Sequence, residues 1–202
     1  PEEGRMSVIA RGAATTKSAR KALLQPFIPL LASCAGRGEL KVLRQLESVS
    51  RPSALTGKYL YCGFYLNELI MRLLKRHDAF PELFSLYATT LSQLAAQGDA
   101  ETILRYFELG LLQTLGYAPL LEQEATRGRA IEPEKLYGYK VEVGPISESM
   151  QHLPQVHGET LLALSAGEAL TTQQKRESLG MMRYILQFYL GDKPLKSREL
   201  FG

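Results

Sequence analysis

The hydrophobic period of this chain changes at Pro52, and that change limits the folds open to it. Upstream, "RMSVIARG" gives a short strand from Met6 to Arg11, and "QPFIPLLASCAG" is an apolar run bounded by Pro26 and Gly36. "GRGELKVLRQLES" resumes after a Gly-Arg-Gly turn and alternates through Leu40, Val42, Arg44 and Leu46. The intervening "GAATTKSARKALLQ" is polar and basic, a loop or a short helix. Strands joined by a basic connection suit a small barrel better than a βαβ sheet.

Downstream the spacing is helical. Lys58–Arg76 carries Leu66, Leu69, Ile70, Leu73 and Leu74 on one broad face. Pro81 suits the first position of a helix over Pro81–Gln97. Glu101–Tyr117 repeats Leu104, Phe107, Leu111 and Leu115, and its Arg105 is one turn from both Glu101 and Glu108. Residues 118–158 lose the period and gather Pro, Gly and charge, with a small hairpin expected in "KLYGYKVEVG". Structure resumes at "GETLLALSAGE". A last helix then starts with Thr171 and Gln174 at capping-box spacing and stops at Gly191. The expected fold is α+β: residues 1–51 form the strand-built part, and residues 52–202 form a mainly helical domain with an irregular segment at about 118–158.

Charge is distributed unevenly. Residues 1–51 hold nine Lys/Arg against four Glu, and the rest holds fifteen basic against seventeen acidic residues. The front is therefore the part expected to meet a polyanion. Its basic residues Arg11, Lys17, Arg20 and Lys21 lie on and just after a barrel strand, where they can track phosphates. A solubilising loop is the alternative reading. Only Phe27 supplies an aromatic ring in residues 1–51, so electrostatic contact is expected more than base stacking.

Catalytic patterns are absent: there is no GxxxxGK[ST], HExxH or GxSxG. Cys62 sits on an apolar helix and reads as core rather than nucleophile. His77 ends its helix, and Glu122, Glu124, Glu132 and Glu134 read as solvated loop carboxylates. His152 and His157 have no nearby thiols, so neither a metal nor a cofactor is expected. Cys34 and Cys62 form no CxxC, which favours a reducing cytoplasmic setting. The apolar run from Leu60 to Leu74 is broken by Asn67, Glu68 and Arg72, so no membrane span is expected. The chain opens on Pro1 without an initiator Met and reads as a fragment of something longer.

Arg105 and Arg183 each interrupt a strongly apolar helix. Either they pair locally at the surface, or together they rim an apolar groove suited to a peptide ending in an aromatic residue and a free carboxylate.

"LLQPFIPLLASCAGRGELKVLRQLES" and "LGDKPLKSRELF" closely resemble the bacterial RecO recombination mediators, and "YCGFYLNELIMRLL" and "LRYFELGLLQTLGY" fit that family's helices. The resemblance spans nearly the whole chain. It implies an N-terminal OB-fold whose first strands precede Pro1, followed by a helical domain. Some members hold zinc with four cysteines, but residues 118–158 contain none, which places the chain with the zinc-free, enterobacterial-like branch.

The function so implied is recombinational DNA repair without catalysis. It includes binding of single- and double-stranded DNA, strand annealing, partnership with RecR, and capture of the acidic, Phe-ending tail of single-stranded-DNA-binding protein so that RecA can replace it. By its place in "ILRYFE", Arg105 matches the arginine expected to hold that tail, with Arg183, Lys193 and Lys196 nearby. Leu104, Phe107, Met182 and Leu186 are groove wall or plain core. Pro194 to Leu200 is expected to be structural. An OB-fold module for RNA or translation, without annealing activity, is the alternative.

Overall fold

Residues 4–12, 19–49, 54–147 and 152–201 are described by a computed structural model. Their contacts divide the chain into two units, Pro1–Gln97 with Ser197–Gly202, and Gly98–Lys196.

The first unit opens on strand β1 (Ser7–Ile9), helix α1 (Ala19–Leu23), β2 (Leu30–Ala35) and β3 (Leu40–Ser48). β3 lies in the middle, antiparallel to β2 and parallel to β1. A parallel pair needs a crossover, and α1 lies in that connection. The β2–β3 register shifts between Ser33 and Cys34, a bulge of the kind that bends sheets toward closure. Three strands do not close a barrel, and Leu31 and Leu40 remain exposed.

Helix α2 (Lys58–Leu73) buries Cys62, Tyr65, Leu66 and Leu69, spaced as one helical stripe. Gly63 lets two side-chain tips come close on that face. A Cβ there would come within 2.7 Å of both Leu55 Cδ1 and Phe27 Cζ. The helix stops short of Arg76. Leu74 is extended, and Arg5 Nη2 donates to the Leu74 carbonyl at 3.0 Å while the His77 N–H donates to the Arg5 carbonyl at 3.0 Å. A cation at a helix C-terminus satisfies an orphan carbonyl and opposes the dipole. His77 therefore lies beyond the helix, with a left-handed φ of 64°.

Helix α3 (Pro81–Ala95) starts on its proline and packs on α2, where the Tyr87 hydroxyl donates to Asn67 Oδ1 at 2.5 Å. A 3₁₀ turn over Lys196–Phe201 is hooked to α2: the backbone N–H and the hydroxyl of Ser197 both donate to Glu68 Oε2, at 2.8 and 2.5 Å.

The second unit contains α4 (Ala100–Thr114), β4 (Leu136–Lys140), β5 (Gly144–Ile146), β6 (Gln155–His157), α5 (Gly158–Ala166) and α6 (Thr172–Leu190). The expected hairpin is β4–β5. The segment expected to be irregular also supplies β6, giving an antiparallel sheet in the order β5-β4-β6. Three-residue strands are too short to show a period of two, so β6 leaves little trace in the sequence. The core of this unit joins Phe107, Leu111 and Leu112 of α4 to Val156, Leu161, Met181, Met182 and Leu186. Both bonds of the Thr171/Gln174 capping box are present, and Gly191 ends α6 with a φ of 72°.

Candidate partner-tail and nucleic-acid sites

Arg105 lies in the middle of α4 and is 5% exposed; Glu108, one turn on, is fully buried. Its Nη2 donates to Glu108 Oε1 at 2.6 Å, so Glu108 rather than Glu101 is its partner. A guanidinium has five donors, and Nη1 of Arg105 is buried without a hydrogen-bond partner. An arginine pairing at the surface is the simpler expectation from spacing, and the structure corrects it. Burial arises because positions 104, 105, 107, 108, 111 and 112 turn a wide arc of α4 inward, more than the apolar residues alone delimit.

Phe107 is 0% exposed, as are Met182 and Leu186, so these three are core. Leu104 is half-buried. Arg183 is on the solvent side of α6, whose Met181, Met182, Ile185 and Leu186 turn inward. Lys193 and Lys196 are exposed beyond Gly191. Arg105 and Arg183 thus occupy different environments, one an internal ion pair and the other a surface charge.

Of the basic front residues, Arg11 is exposed in the turn after β1, and Lys21 is exposed on α1. Arg20 has its backbone in α1, and Lys17 lies outside the described residues. Exposed Arg37 and Arg44, in the β2–β3 turn and on β3, extend the positive character of this sheet. The alternation in "GELKVLRQLES" puts Arg44 on one face with Leu40, Val42 and Leu46, yet Arg44 and Leu40 are exposed and Leu43, of the opposite parity, is buried.

Sequence reasoning misses a polar knot at the start of α5. Glu177 of α6 accepts the backbone N–H of His157 at 3.0 Å, the Thr160 hydroxyl at 2.6 Å and the Gln173 amide at 2.9 Å, and its Oε1 lies 2.6 Å from His157 Nδ1. Burial pushes the Glu177 carboxyl up. Hydrogen bonds from Thr160, Gln173 and His157 outweigh it and hold the group below its ordinary range. Asp99 behaves similarly: burial raises it, but Lys175, at 2.6 Å, and Thr102 bring it down.

Glu124, expected to be solvated, is 5% exposed and accepts the Ser147 hydroxyl at 2.6 Å. Burial pushes the Cys62 thiol up, which opposes thiolate formation and fits a packing role. Cys34 and Cys62 are both free thiols. Among the described residues no cluster of three or more His, Cys, Asp or Glu could hold a metal, and no helix is long and apolar enough to cross a membrane.

A strand-built front followed by a mainly helical body defines a two-part protein of the α+β class. The family model for the N-terminal part of recombination protein O matches residues 1–51, and the model for its C-terminal part matches residues 55–199. The chain is 48% identical over 198 residues to the DNA repair protein RecO of Methylococcus capsulatus, covering 98% of this chain and 81% of that one. It is 44% identical to the DNA repair protein RecO of Nitrosococcus oceani, covering 99% and 82%, and 42% identical to that of Nitrosospira multiformis, covering 98% and 83%. The chain belongs to the RecO family of DNA repair proteins. Its role is therefore in DNA repair and recombination.

Proposed function

We propose that this chain is a non-enzymatic recombination mediator. In this reading it binds single- and double-stranded DNA, anneals complementary strands, partners RecR, and takes the acidic tail of single-stranded-DNA-binding protein so that RecA is loaded on the exposed strand. Residues 1–51 serve as the DNA-facing part, with Arg11, Lys17, Arg20 and Lys21 on phosphates. Residues 52–202 serve as the partner-binding part. The observation that carries the general reading is family similarity over both parts of the chain.

The tail site rests on Arg105. Its Nη1 is a buried cationic donor without an acceptor, as Glu108 Oε2 beside it is without a donor, and a guest carboxylate would bond Nη1 once the Arg105 side chain turned outward. Half-buried Leu104 offers apolar surface, while exposed Arg183, Lys193 and Lys196 would attract the acidic residues that precede the terminal Phe. Phe107 would act from beneath, as packing support for Arg105. No bond need be made or broken. A bound cationic surface lowers the repulsion between two strands, and tail capture raises the mediator's local concentration on coated DNA.

The test is fluorescence anisotropy with a labelled acidic peptide ending in Phe. Arg105→Lys keeps the charge but loses the planar fork, and is expected to weaken binding about tenfold. Amidating the peptide's C-terminus should weaken wild-type binding and make little further difference in the variant. Equal affinity of wild type and Arg105→Lys, with both folded, would remove Arg105 from the site.

A further inference from the structure

Gly116 ends α4 with a φ of 81°, and the chain then runs through Tyr117 to Leu120 along the edge of a pocket of about 250 Å³. Tyr117, Tyr139 and Tyr189 line it, together with Glu142 from the β4–β5 turn. Tyr117 and Tyr189 stack with ring centroids 4.4 Å apart and 23° between planes. Phe188 meets Tyr189 edge-on at 5.2 Å. Tyr117 is nevertheless 47% exposed, so part of its surface is open to a guest. The wall is tight on one side. A Cβ on Gly144 would fall 3.0 Å from the Leu120 side chain.

Glu142 adopts a φ of 62°, a left-handed backbone that a non-glycine residue enters at a cost. Its side chain is exposed, and among the described residues no cation pairs with it. Its charge reaches the pocket: the Tyr189 hydroxyl is raised by burial, then by Glu142 and Tyr117. Among the described residues no Lys, Arg or His lines the space. Electron-rich ring faces and one carboxylate make the field there negative, which attracts a cation and repels a phosphate.

We infer that the pocket formed by Tyr117, Tyr139, Tyr189 and Glu142 takes an arginine side chain from a basic segment of a partner protein. A guanidinium is planar and stacks on tyrosine while donating to a carboxylate, so both features of the pocket are used by one group. Rings alone would also suit a nucleobase. Glu142 disfavours that guest, because the phosphates of a strand would travel with the base. This interaction is independent of Arg105 and of the basic strand region.

The experiment is a titration of the full chain, labelled with ¹⁵N, using a capped Gly-Arg-Gly peptide, its Gly-Gln-Gly counterpart and a short oligothymidylate. The arginine peptide is expected to shift the amide signals of Tyr117, Glu142 and Tyr189 saturably, and the glutamine peptide is not. Glu142→Gln, an exposed and isosteric change, should weaken binding about fivefold while leaving the rest of the spectrum in place. Three results would overturn the proposal: no response to the arginine peptide, an equal response to glutamine, or a response of these signals to oligothymidylate alone.

Discussion

Arg105 and Glu108 form an ion pair with both members out of water, so each is costly without the other. Removing the arginine takes a charged hydrogen-bond donor from a fully buried carboxylate. Arg105→Ala is expected to destabilise the chain by about 3–5 kcal/mol, whereas replacing both residues by Met should cost far less. Urea denaturation of the single and double variants measures the difference, and a double variant as unstable as Arg105→Ala would contradict this account of the cost. For that reason the lysine variant, not the alanine one, is the informative probe of tail binding.

Glu177 gives a second prediction at the residue scale. Its carboxyl is held below the ordinary 4.5 in the folded chain, so ionised Glu177 stabilises the fold above that pH. The contribution is lost as pH falls through the lower, folded value. Glu177→Gln should be less stable than wild type at neutral pH, with the gap closing below about pH 4.5. Thermal melts from neutral pH down into the acid range test this, and a constant gap would contradict it.

At the scale of elements, local chemistry is most readable in the sequence where one residue type can do the job. The Thr171/Gln174 spacing marks the start of α6 because each side chain meets the other residue's orphan N–H across a single turn. Thr171→Ala is expected to cost about 1 kcal/mol, read as a lowered denaturation midpoint. Pro81 marks α3 for a similar reason. The end of α2 is not readable, since it depends on Arg5, nearly seventy residues upstream, reaching the Leu74 carbonyl. Nor is the junction of β6 and α5. There Gly158 passes so close to Glu132 that an added Cβ would sit 2.0 Å from its carbonyl oxygen. Backbone cannot yield as a side-chain tip does, so Gly158→Ala should destabilise by about 3 kcal/mol or more. The candidate tail site is half readable. Its arginine stands out in an apolar helix, but whether that arginine faces water or core depends on Glu108 turning inward with it.

Across the whole molecule, charge separates what local structure does not. The front carries a surplus of five positive charges while the remainder carries a deficit of two. If DNA affinity resides in the front, it comes from counterions released by a few exposed cations there, and its salt dependence counts them. Arg11 and Lys21 are both exposed, on the turn after β1 and on α1. Removing one phosphate-bound cation should flatten the plot of log affinity against log salt by about 0.7 for a single strand, so Arg11→Ala with Lys21→Ala should reduce the slope by about 1.4. Arg183→Ala, on α6, should leave that slope unchanged while weakening the acidic peptide. Anisotropy titrations of oligothymidylate over a range of chloride concentrations separate the outcomes. An unchanged slope in the double variant, or a slope that falls with Arg183→Ala, would move the DNA path from the sheet to the helical part.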